Sequence, residues 1–197
     1  MQSICLYCGS KAGQRNEYAA LAHAFGKTVA EAGLRLVYGG GRVGLMGIAA
    51  DAALASGGEV IGIIPQQLVD WEAAHPGLTR LEVVDTMHQR KMRMFELGDA
   101  FVALPGGFGT LDEMFEMLTW QQLGINSKPC AFLGTPGFWQ PLMQMMDRMV
   151  AEGFLPARQR ENVWQGEDID ALWAWMGGFD TQLPSRLVAE RRQELAL

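Results

Sequence analysis

Three glycine clusters punctuate this chain, Gly9, Gly39–Gly41 and Gly106–Gly109, and each follows a short apolar run and precedes a helical pattern. A repeated order of strand, glycine break and helix constrains the fold more than any single residue could. The runs Ser3–Tyr7, Leu34–Tyr38, Val60–Ile64, Leu81–Val84, Ala100–Leu104 and Cys130–Leu133 read as strands. Apolar periodicity predicts helices over Glu17–Ala32, Leu45–Ser56, Met87–Leu97, Thr110–Leu123, Phe138–Glu152 and Ile169–Met176. Such alternation predicts a parallel sheet covered by helices on both faces, and the nearly continuous apolar runs at 34–38 and 60–64 suit strands buried on both sides. The fold class is therefore doubly wound α/β, in one domain, because 197 residues of which 49% are apolar suffice for one sizeable core. In sheets of this kind ligands gather outside the carboxyl ends of the strands, so the three clusters point to one crevice. Residues 179–197, with Arg186, Arg191 and Arg192 among scattered apolar positions, read as a peripheral helix or a loose tail.

A net charge of −6 argues against a nucleic-acid or anionic-membrane surface and points to a small-molecule partner met by local groups. The N-terminus lacks the basic start and apolar run of a signal peptide, and no stretch of about 18 apolar residues occurs, which reads as a cytoplasmic protein. Three cysteines fit a reducing compartment. Cys5 and Cys8 form a C-x-x-C spacing, but within or at the end of a strand and not at a helix start, which gives redox or zinc chemistry little support. His23, His75 and His88 are dispersed and no protein-bound metal is expected. Met114, Met117, Met143, Met145, Met146 and Met149 recur at helical spacings as core or subunit-contact residues.

The segment Leu104–Glu113 runs from an apolar strand end through three glycines and a threonine to two acids. A helix starting at Gly109 or Thr110 would aim its free N–H groups and positive dipole end at a phosphate. Glu113 then places a negative charge one turn inside that helix end, which suggests chemistry beside the phosphate. Thr110 and Glu113 also fit a purely structural capping box. Gly39–Gly44 satisfies G-x-G-x-x-G, but the chain reads Ile64-Pro65-Gln66 where a dinucleotide fold would carry its ribose-binding acid. A mononucleotide or phosphate loop is the reading, with Ser10, Gly40, Gly41, Gly44 and Met46 as candidates, against a structural tight turn. On the helix from Met87, positions Met87, Arg90, Lys91 and Met94 share a face. They form either a solvated basic turn with buried methionines, or a site wall in which the methionines pack on an aromatic base and the cations meet phosphate.

Three stretches, Tyr38–Gly47, Met87–Lys91 and Pro105–Glu113, together with Tyr7-Cys-Gly-Ser10, resemble the LOG ("Lonely Guy") family of cytokinin riboside 5'-monophosphate phosphoribohydrolases, from about Ser3 to Pro141. The resemblance implies a Rossmann-like homodimer, without a cofactor, that hydrolyses a purine nucleoside 5'-monophosphate to free base and ribose 5-phosphate. It implies Arg90 and Glu113 as the catalytic pair. As substrate contacts it implies Lys91, the loop Gly107, Phe108, Gly109, Thr110, Leu111 and Asp112, then Thr119 and Glu72; Met87 joins these from the helix-face reading. Asp112 stands where many relatives carry glutamate. The alternative is a non-catalytic nucleotide or phosphorylated-cofactor carrier of the same fold. A pyridoxal lysine decarboxylase, a label relatives have carried, would need a Schiff-base lysine, and Lys11, Lys27, Lys91 and Lys128 show no evident pyridoxal site.

Overall fold

The computed structural model describes residues 1–69 and 73–180, with isolated positions 182, 185 and 189. Seven strands, β1 (Ser3–Tyr7), β2 (Arg35–Tyr38), β3 (Val60–Pro65), β4 (Arg80–Val84), β5 (Phe101–Ala103), β6 (Cys130–Leu133) and β7 (Trp164–Gly166), form one parallel sheet in the order β4-β3-β2-β1-β5-β6-β7. The helices are α1 (Asn16–Glu31), α2 (Gly44–Ala55), α3 (Met87–Leu97), α4 (Phe108–Gln122), α5 (Pro136–Ala151), α6 (Ala157–Glu161) and α7 (Ile169–Gly177).

Side-chain alternation along β1 accounts for the layering. Ile4 and Leu6 point to one face, where Phe25 and Val29 of α1, Ala49 and Ala53 of α2 and Leu172 of α7 close over them. Cys5 and Tyr7 point to the other, against Met94 of α3, Met114 and Met117 of α4, and Trp139, Met143 and Met146 of α5. The expected doubly wound sheet is therefore present, and four of the six singled-out methionines are core. Met145 is exposed and Met149 half-buried. Cys5 and Cys8 contribute to opposite faces, as residues three apart on an extended chain do, and all three cysteines are buried free thiols.

The six expected strands occur, two with the expected bounds and four with shifts of one residue at one or both ends. Strand β7 and helix α6, of three and five residues, were not expected; elements so short carry too little periodicity to be recognised. Helix α4 begins at Phe108, two residues before the expected Thr110. The 179–197 segment lies mostly outside the described residues. β1 pairs with β2 on one side and β5 on the other, so the strand order reverses beside β1 and its carboxyl end opens the switch-point crevice.

Candidate active site

At that crevice a cavity of about 200 Å³ is walled by Leu6 and Cys8–Ser10 behind β1, Gly39 behind β2, Met46 of α2, Arg90 of α3, and Gly107–Thr110 with Glu113 at the start of α4. The α4 wall is a bare helix start. Gly107 is the N-cap, in extended backbone and without a side-chain cap, and the first intrahelical bond runs from the Leu111 N–H to the Gly107 carbonyl (3.2 Å). The amides of Phe108, Gly109 and Thr110 precede that bond, the usual arrangement of an anion site. Thr110 is thus the third helical residue, buried against Gly106, and the Thr110–Glu113 capping box does not form. A box of the same type caps α3 instead: Gln89 N–H donates to Thr86 Oγ1 and Thr86 N–H to Gln89 Oε1, both at 3.2 Å. Phe108, 95% exposed, stands on the lip.

Arg90 is only 4% exposed. Its Nε donates to the Ile63 carbonyl (3.1 Å) and Nη2 to the Gly39 carbonyl (2.8 Å), while Nη1 lies 3.9 Å from Met87 Sδ. A buried guanidinium needs such acceptors, and both come from the carboxyl ends of adjacent strands. The half-buried Glu113 carboxylate reaches the β1 end of the cavity, where its field acts on neighbouring groups. Burial first, and then the Glu113 charge, raise the Cys8 thiol far above the ordinary thiol range. Tyr7 is raised in the same way by burial and, among lesser causes, by Glu113.

The other sequence candidates fall in distinct places. Ser10, Met46, Arg90, Gly107, Phe108, Gly109, Thr110 and Glu113 line the cavity together. Gly40 and Gly41 are buried behind it, and Gly44 (φ +65°) lets α2 start against Ser10, since a Cβ there would meet the Ser10 carbonyl carbon at 2.3 Å. Leu111 packs into the core, and Met87 touches Arg90 and not the cavity. Lys91 turns to α4 and pairs with Asp112 and Glu116, each at 3.2 Å. Partial burial works against its charge, but these hydrogen bonds outweigh it and raise its pKa. Thr119, whose hydroxyl donates to the Phe115 carbonyl (2.7 Å), lies on a separate apolar groove between α4, α5 and α6. Glu72 lies outside the described residues. Sequence reasoning missed Leu6 and Cys8 as cavity walls, whose signal was position alone at the end of β1, and placed Gly39 at the crevice only as part of its glycine cluster.

Residues 46–176 match the family described as "Possible lysine decarboxylase". Relatives of the chain include the cytokinin riboside 5'-monophosphate phosphoribohydrolase of Rhodococcoides fascians, 49% identical over 88% of each chain. The chain belongs to this family. Another member, cytokinin riboside 5'-monophosphate phosphoribohydrolase LOG3 of Arabidopsis thaliana, is 42% identical over 80% of this chain and 74% of its own. Among solved structures, the molybdenum cofactor binding protein of Rippkaea orientalis superposes with a TM-score of 0.69 at 21% identity, covering 90% of this chain and 96% of that one. The molybdenum cofactor carrier protein of Chlamydomonas reinhardtii superposes at 0.67 and 21% identity over 88% of this chain and 94% of that one. At such identity the likeness concerns the fold alone. Among the described residues no helix is long and apolar enough to cross a membrane, and no three His, Cys, Asp or Glu side chains converge as metal ligands.

Proposed function

We propose that this family member hydrolyses the N-glycosidic bond of a purine nucleoside 5'-monophosphate, releasing free base and ribose 5-phosphate. The observation that carries the reading is the convergence of a buried cation, Arg90, a carboxylate, Glu113, and the bare α4 N-terminus in one switch-point cavity. The amides at Gly107–Thr110 bind the 5'-phosphate, which accounts for a nucleotide requirement in a chain with few lysines. Cleavage at C1' builds positive charge on the ribose, and Glu113 stabilises it or activates the attacking water. Arg90 orients the nucleotide and assists departure of the base. Lys91 acts here through α4, by holding Asp112 and Glu116.

A pyridoxal decarboxylase does not suit these residues. No lysine lines the cavity; Lys27 pairs with Glu31 (3.6 Å), Lys91 is held by α4, and Lys128 donates to the Phe95 carbonyl (2.6 Å). The protein acts as a homodimer in the cytoplasm: the groove carrying Phe115, Leu118, Met149 and the 81% exposed Phe154 is apolar enough to pack against a second copy, and the buried free thiols suit a reducing compartment.

Chromatography of a panel of purine 5'-monophosphates, with the matching nucleosides as controls, tests the reading. Free base appears from monophosphates and much less from nucleosides. Nucleotide binding without any base release would favour the carrier alternative.

A further inference from the structure

The run Gly39-Gly40-Gly41 resembles a phosphate loop in sequence, yet its first glycine faces a guanidinium. The β2–β3 ladder ends at the pair Tyr38 and Gly62, so the next carbonyls, of Gly39 and Ile63, lie just beyond it. Both accept from Arg90, at 2.8 and 3.1 Å. A Cβ built on Gly39 would lie 2.2 Å from Arg90 Nη2, 3.1 Å from its Cζ and 3.2 Å from Met46 Sδ. No atom tolerates the first of these distances, and the guanidinium cannot retreat while both carbonyls hold it in a buried position. Gly39 does not have a left-handed φ, unlike Gly40 (φ +82°), so alanine can adopt its backbone; the severe conflict is with the arginine, and the tight contact at Met46 Sδ needs only a small shift of a flexible side chain.

We propose that Gly39 is a positioning residue for catalysis: the absence of a side chain there, together with its carbonyl, holds the Arg90 guanidinium at the cavity wall. The glycine run thus divides its work. Gly39 makes room for Arg90, and Gly40 makes the turn, its carbonyl accepting the His75 N–H (2.9 Å) from the segment that precedes β4. The inference rests on the catalytic reading of Arg90, but the contact itself is independent of the reaction.

A double-mutant cycle of Gly39→Ala and Arg90→Ala tests it, read by thermal melting and by kcat for base release. Gly39→Ala lowers kcat about tenfold or more in the native background and by less than about twofold when Arg90 is already alanine. In melting, Gly39→Ala destabilises the native protein and costs almost nothing in the Arg90→Ala protein; should the single variant fail to fold, the double variant folds. Equal losses in both backgrounds, or no loss in either, would overturn the assignment. If no purine monophosphate yields base, the functional reading fails, while the melting cycle still decides whether Gly39 positions Arg90.

Discussion

Replacing Glu113 by glutamine removes one charge from the cavity while keeping the side chain's size. At about 4 Å and an effective dielectric constant of about 20, a full unit charge is stabilised by an opposite one by about 4 kcal/mol. The ribose carries only part of a charge in the transition state, which scales the loss to about 2–4 kcal/mol, or about 30- to 1000-fold in kcat. Ground-state binding suffers less, because the phosphate is gripped by the α4 amides and not by this carboxylate. Base release from AMP, followed by chromatography at saturating substrate, gives kcat, and titration calorimetry with the same nucleotide gives affinity. The expected outcome is a collapse of kcat with affinity retained within about fivefold. Turnover within about threefold of the parent would refute the electrostatic argument, and turnover retained with a fallen melting temperature would return Glu113 to a structural role.

Lys91→Met breaks both ion pairs to α4 and should cost about 1 kcal/mol, a fall of about 2–4 °C in Tm with a modest effect on KM; a large rise in KM at unchanged Tm would instead mean that Lys91 meets substrate. Glu82 accepts a two-pronged pair of hydrogen bonds from Arg93 (2.7 and 3.3 Å), which hold its pKa below the ordinary glutamate value. Its contribution is therefore complete above the unfolded-state pKa and disappears as pH falls through that value to the lowered folded one. Urea titrations should show Glu82→Gln costing up to about 1 kcal/mol at neutral pH and nothing in strong acid. Phe154→Glu, at the exposed edge of the apolar groove, should leave the fold intact and halve the mass measured by light scattering; an unchanged mass would remove that groove as the contact.

The sheet and the crevice were legible because both are written locally. Alternating apolar runs give the strands, and glycines at their carboxyl ends mark where a doubly wound sheet opens. What escaped is non-local. Gly39 needs its lack of a side chain because of Arg90, 51 residues away, and no pattern within the glycine run reveals that. The two capping-box signatures make the same point. Thr86 and Gln89 have the spacing and form the box, whereas Thr110 and Glu113 have it and do not, because Thr110 is buried against Gly106 and the helix starts earlier. The local signal is the same, and packing decides between the outcomes.

That early start has a chemical consequence. With Gly107 as N-cap, Glu113 lies nearly two turns along α4 instead of one, past the third helical position from which a capping-box acid acts. The free amides at Phe108–Thr110 and the carboxylate are then separate groups on one wall, spaced along the helix axis by about 1.5 Å per residue, or about 5–8 Å. A 5'-phosphate and the C1' carbon of the same ribose are separated by a comparable length, so a single nucleotide can engage both. Arg90 comes from α3, and the relative register of α3 and α4 is fixed beside it by Lys91, whose partners Asp112 and Glu116 flank Glu113. The ion pairs thus lie one residue from Arg90 and within three of Glu113.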